Sequence, residues 1–230
     1  MTERGAEFAF WGGIVYTREK RNIMERMTAM SELAKGNGMV QQLLERVREL
    51  PKPKERPLLV AIDGRCASGK TTLAQAISEQ TGCAVLHMDH FFLRPEQRTA
   101  QRLAQPGGNV DYERFLAEVL EPLRAGREFC YRPYDCKRKQ LVDPIAVCPG
   151  QLAVVEGSYS CHPTLWDGYD LHVFLTVDPQ EQLCRILRRN GPQGLEIFKQ
   201  RWIPLEEKYF SAMQLQARCE LVLDSSAQQL

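Results

Sequence analysis

Residues Gly64-Arg-Cys-Ala-Ser-Gly-Lys-Thr71 fit the pattern GxxxxGK[ST] at every fixed position. No other stretch constrains the fold as tightly, because this pattern works only as a turn between a buried strand and a helix. The glycines let the backbone curl until its N–H groups converge on one anion. The helix that follows points its positive end at the same place. Lys70 is then expected to reach the β- and γ-phosphates of a nucleotide, and the Thr71 hydroxyl to ligate Mg²⁺. Gly64, Ala67, Ser68, Gly69 and Thr72 complete the expected nucleotide-binding set. The flanks agree: Leu58-Leu-Val-Ala-Ile62 reads as a buried parallel strand, and residues 71–80 as a helix.

The same alternation continues along the chain. Residues 83–88, 152–155, 171–177 and 220–223 are short apolar runs that read as strands. Residues 111–124, 180–189 and 194–213 carry helical spacing, the last despite Pro204. Strands that are apolar throughout and alternate with helices predict an α/β protein whose parallel sheet is covered on both faces. Ahead of the core, Val40, Leu43, Leu44, Val47 and Leu50 recur at helical spacing over residues 39–50, and the proline-rich run 51–57 ends that helix. This divides the chain into an N-terminal extension, 1–56, and a nucleotide-binding domain, 57–230. Residues 1–38 show no clear period. Met24, Met27, Met30 and Met39 all precede the first strong element, and one expectation is that translation starts at one of them.

Composition narrows the function. A formal net charge of +1 lacks the basic excess of a nucleic-acid binder. The eight cysteines are scattered with no CxxC pair, as expected for reduced thiols in a cytoplasmic protein. The apolar stretch 8–16 is too short to span a membrane, and Glu3 and Glu7 spoil a secretory signal.

A phosphate loop alone does not separate kinases from other nucleotide hydrolases. Ligands of open α/β sheets sit beyond the carboxyl ends of the strands, and Asp89 and Glu156 fall there. A phosphoryl acceptor hydroxyl needs a carboxylate to orient it and take its proton, and Mg²⁺ needs oxygen ligands. Asp89 is the expected base and Glu156 the expected metal ligand, although the two roles could be exchanged. Arg185, Arg188 and Arg189 share one helix face, where Arg185 and Arg189 are placed to clamp the transferring phosphoryl group. The glycines around Pro192 suggest a mobile lid.

The ordered series Ile62–Thr72, Met88-Asp-His-Phe-Phe92, Asn109-Val-Asp111, Pro133-Tyr-Asp135, Val155-Glu-Gly157 and the arginine helix resembles the uridine kinase family, with nicotinamide riboside kinases as close relatives. The resemblance covers roughly residues 58–224. It implies a P-loop NTPase fold with a five-stranded parallel sheet, the loop-bearing strand in the middle, and a lid. It implies ATP and Mg²⁺, and a small-molecule acceptor, most simply a nucleoside, whose hydroxyl meets Asp89. It also implies that Asp111 binds sugar hydroxyls and that Tyr134 lines the pocket, with Asp135 beside it. The chain departs from the family after Asp135, where Cys136-Lys-Arg-Lys139 stands in place of a histidine. The segment 94–108 reads as an added substrate-side loop. A regulatory ATPase acting on a protein partner and a silent nucleotide-binding protein are the alternatives. Self-association is left open.

Overall fold

The computed structural model describes residues 38–226 together with a short antiparallel pair, Phe10–Trp11 with Ile14–Val15. Met24, Met27 and Met30, and the start sites expected there, lie outside the described residues. The chain divides into two compact units, Met1–Gly38 and Met39–Leu230. All that follows concerns the second.

Five parallel strands form its sheet: β1 (Leu58–Gly64), β2 (Ala84–His87), β3 (Leu152–Glu156), β4 (Leu171–Thr176) and β5 (Leu221–Asp224). Their spatial order is β5-β4-β1-β3-β2, which puts the loop-bearing strand in the centre. Every residue of β1 is buried, because alternate side chains face opposite layers. Leu58, Val60 and Ile62 meet Val40, Leu43 and Leu44 of helix α1 (residues 38–49) and Leu73, Ala74 and Ile77 of α2 (Lys70–Thr81). Leu59 and Ala61 face the other layer, with Phe115, Val119, Leu123, Tyr209 and Phe210. Both faces are therefore covered, which accounts for the continuous apolar runs of the strands.

The connections hold the departures from expectation. Helix α3 starts at Tyr112–Phe115, passes through a wide π-type turn at Leu116–Leu120 and ends at Glu121–Arg124. The glycine-flanked segment 190–194, where a loop is expected, is instead a one-residue kink inside α4 (Pro179–Ile197). Gly191 there adopts φ 70° and ψ 178°, open to glycine and strained for other residues, and Pro192 restarts the helix where its missing N–H has no partner to lose. A π-type turn, Phe198–Trp202, joins α4 to α5 (Ile203–Met213) without a break, and Pro204 follows directly on that widened turn. The segment 94–108 is not a plain loop. It forms a 3₁₀ turn, Pro95–Gln97, and a short helix, Ala100–Ala104, capped by the Thr99 hydroxyl. Arg102 ties this segment down by donating to the carbonyls of Gly108 and Val110 and to Glu113. Two small antiparallel ribbons were too short to read as strands: Phe129–Tyr131 with Ile145–Val147, and Tyr134–Asp135 with Gln140–Leu141. Among the described residues no helix is long and apolar enough to cross a membrane. All eight cysteines are free thiols.

Candidate active site

The phosphate loop leaves β1 at Gly64, whose φ of +132° presses it against β4. A Cβ there would collide with the Leu175 carbonyl, so only glycine fits. The loop then uses some of its N–H groups internally. Gly64 N–H donates to Asp63 Oδ1 at 2.6 Å, Arg65 N–H to Leu175 O at 3.2 Å, and Ser68 N–H to Arg65 O at 3.2 Å. The N–H groups in the first turn of α2 have no helical partner, no side chain caps that helix, and no acid lies in its first turn. Ser68 Oγ is buried without a hydrogen-bond partner. An uncapped helix end with an orphaned hydroxyl beside it fits a bound phosphate chain. Lys70 is buried and donates to the carbonyls of Gly64 and Arg65 at 2.7 and 2.8 Å, leaving one ammonium proton for a phosphate oxygen.

Asp63, the residue before the loop, was not singled out by sequence reasoning. Its carboxylate is fully buried and accepts four donors: the N–H groups of Gly64, Tyr159 and Cys161, and the Tyr209 hydroxyl at 2.9 Å. It thereby ties the loop to the segment after β3 and to α5. Burial pushes its pKa up to about 6, against the pull of its donors and of Lys70. A charged residue closing an apolar strand was the available signal. Cys66 within the loop is no nucleophile, since burial and the nearby Glu206 push its thiol up to about 12.

The carboxyl ends of β2 and β3 supply the other groups. His87 and Glu156 are register partners across these strands, and the His87 Nδ1–H donates to Glu156 Oε1 at 2.6 Å. That hydrogen bond raises the His87 pKa against the opposing effect of burial. Glu156 is also 3.1 and 3.2 Å from the Thr71 hydroxyl through its two oxygens. The two expected metal ligands thus meet beside the phosphate loop. Hydroxyl and carboxylate oxygens suit a hard cation that takes its remaining ligands from phosphate and water. Among the described residues no cluster of three or more His, Cys, Asp or Glu forms a closed metal cage. Asp89 follows in the turn Met88–Phe91 with its side chain exposed, yet crowding by protein and the negative charge of Glu156 raise its pKa.

On the acceptor side the expected residues also have protein partners. Asp111 is buried and caps α3 by accepting the Arg114 N–H at 3.1 Å. Its other oxygen accepts from Gln97 Nε2 at 2.7 Å, so the segment 94–108 already engages it. Asp135 accepts the N–H groups of Lys137 and Arg138 at 2.8 and 3.0 Å, and these bonds lower its pKa. It shapes its own turn. Tyr134 is buried, on a strand packed beside the turn that carries Asp89.

The two arginines have separate partners. Arg185 pairs with Glu181 and donates to Ala67 O at 3.3 Å and to Ser225 O at 2.7 Å, against the back of the phosphate loop. Arg189 is exposed, donates to Asn190 Oδ1, and lies 5.6 Å from the Phe198 ring. Gln182 holds Cys66 O at 2.9 Å, and Glu206 of α5 accepts the Cys66 N–H at 2.9 Å. Neither Gln182 nor Glu206 carried a signal in the sequence.

Comparison with known proteins agrees with this geometry. No family model matches the chain. Uridine kinase-like protein 5 of Arabidopsis thaliana is 27% identical over 150 residues, covering 61% of this chain and 32% of that one. A uridine kinase of Clostridium perfringens is 25% identical over 146 residues, covering 59% of this chain and 69% of that one. The structure of a possible uridine kinase from Bacillus stearothermophilus superposes with a TM-score of 0.61 at 19% identity, over 82% of this chain and 98% of that one. The chain is thus similar in sequence to uridine kinases and shares the fold of P-loop kinases. It spans about a third of the length of the Arabidopsis relatives. Its fold is shared more widely: D-glycerate 3-kinase from Cryptococcus neoformans superposes on this chain with a TM-score of 0.58 at 17% identity, over 86% of this chain and 96% of that one.

Proposed function

We propose that the protein transfers the terminal phosphoryl group of ATP to a hydroxyl of a small molecule, in the cytoplasm. The observation that carries this reading is the convergence of Lys70, Thr71, Glu156 and Asp89 around an uncapped helix end. The relatives named as uridine kinases point to a nucleoside as the acceptor.

The residues divide the work. The loop N–H groups and Lys70 hold the phosphates and neutralise the charge that develops on the transferring group. Asp89 accepts the proton of the acceptor hydroxyl as that oxygen attacks phosphorus and the bond to the leaving diphosphate breaks. Its raised pKa makes it a better proton acceptor than an ordinary aspartate. Thr71 and Glu156 are the residues that would hold Mg²⁺, which supplies charge neutralisation on the phosphates. Asp63 keeps the loop in position, and Arg185 braces it from behind.

Purified protein with ATP and Mg²⁺, screened against nucleosides and other small alcohols with ADP release as readout, tests the proposal. Release that depends on a particular alcohol is the expected result. Release independent of any acceptor would favour a regulatory ATPase, and failure to bind ATP would remove the reading.

A further inference from the structure

Phosphoryl transfer as described leaves one buried charge without a role. Glu206 lies in the first turn of α5 with 4% of its surface exposed. Its Oε2 accepts the Cys66 N–H at 2.9 Å and its Oε1 accepts the Ser158 hydroxyl at 2.6 Å. The adjacent Glu207, not Glu206, takes the Arg65 guanidinium. Burying a carboxylate without a cationic partner is costly unless its hydrogen bonds compensate. The phosphate loop is built to hold anions, and in this structure the anion bonded to its Cys66 N–H is a side chain of the protein.

Position within the loop identifies what Glu206 replaces. The first-turn N–H groups of α2 gather the phosphates nearest the helix end. Cys66 lies three residues before Gly69, at the far end of the loop, and Glu206 reaches it together with Ser158, which follows Glu156 closely at the end of β3. Glu206 also adds to the negative potential felt by Asp89.

Resting on the kinase reading, we infer that Glu206 occupies the place on the phosphate loop that the terminal phosphoryl group of the donor takes over, and thereby sets how strongly the loop prefers a triphosphate to a diphosphate. Two anions cannot share the Cys66 N–H without repulsion. Entry of the triphosphate displaces the carboxylate, and once the phosphoryl group has left for the acceptor the carboxylate returns and favours release of the diphosphate. Glu206 is a positioning residue in this scheme and takes no part in bond making.

Titration calorimetry with Mg²⁺, using ADP and a non-hydrolysable ATP analogue on wild type and Glu206→Gln, tests the inference. The amide keeps an acceptor for Cys66 but removes the charge. The analogue should bind about tenfold more tightly to the variant, while ADP changes by no more than about twofold. Equal shifts for both nucleotides, or an unchanged ratio, would make Glu206 a plain brace and overturn the inference. Should the variant fold poorly, the wild type gives a second measurement. The Cys66 amide proton resonance should move with the analogue and stay in place with ADP; the same response to both ligands overturns the inference. Wild type that binds neither nucleotide removes the kinase reading, and this inference with it.

Discussion

The Thr71 hydroxyl stands within hydrogen-bonding distance of both carboxylate oxygens of Glu156, 3.1 and 3.2 Å away. The two residues are 85 positions apart in sequence. They meet because β1 and β3 are neighbouring parallel strands whose carboxyl ends point the same way, with α2 starting just beyond β1. Glu156→Gln should therefore raise the Mg²⁺ concentration needed for half-maximal turnover while leaving acceptor binding unchanged. Asp89→Asn should do the reverse: normal Mg²⁺ dependence and nucleotide affinity, with kcat reduced by about 10²–10⁴-fold, because the amide cannot take the proton. Magnesium titrations of both variants would show at once if the two roles are exchanged.

Lys70→Ala should reduce turnover by about 10²–10³-fold, the usual effect of losing one preorganised charge on a transferring group. In the structure this ammonium also ties two loop carbonyls. The variant should therefore show faster hydrogen exchange across residues 64–69, with the melting temperature of the domain little changed. Near-normal kinase activity would sink the proposed function.

Asp111 and Gln97 separate a cap from a contact. Asp111→Ala removes an N-cap and should destabilise the domain by about 1 kcal/mol. Gln97→Ala leaves the cap intact and removes the hydrogen-bond donor of the second Asp111 oxygen, which keeps only its 3.8 Å ion pair with Arg114. If that oxygen receives acceptor hydroxyls, Gln97→Ala should change KM for the acceptor with no change in KM for ATP or in melting temperature. Identical kinetics in the variant and the wild type would confine Asp111 to its structural role.

Asp63 should make stability depend on pH in an uncommon direction. Its pKa is raised to about 6 in the folded protein by burial, against an unfolded value near 4. Between these values the folded state holds the proton and the unfolded state does not, so stability falls as pH rises through this window. The loss amounts to at most about 3 kcal/mol and is complete above the folded value. Asp63→Asn removes this slope. Denaturant unfolding of both proteins from pH 4 to 7 should show their stability difference shrinking with pH by that amount, and a constant difference would refute the account.

The centre of the molecule was legible in the sequence because it obeys local rules. Leu58 to Thr71 is a buried strand, a glycine-bearing turn and a helix, and each piece has its own pattern. Asp89 and Glu156 were legible because apolar runs end at them. The bracing of the loop was not, because Asp63, Gln182 and Glu206 act across 96 to 146 positions of sequence, and nothing in their immediate neighbours marks a contact so distant. Asp111, which the resemblance sets against sugar hydroxyls, and the substrate-side candidate Asp135 also accept nearby protein donors, a use that motif matching does not reveal. A loop was expected around Gly191 and Pro192. One residue outside helical geometry sufficed, and the helix resumed on both sides.

Gln182, Arg185 and Glu206 stand on consecutive residues of the phosphate loop, Cys66 and Ala67. The chain from 187 to 205 spans these footings as an arch, and none of its residues is buried. Because each foot is fastened by its own bonds, the arch's length and shape are uncoupled from the floor it rises from. Insertions or deletions in such a span cost little, since closure entropy grows only slowly with length. The fold thereby separates a fastened floor from the vault above it, so the span can be lengthened or shortened without rebuilding what it stands on.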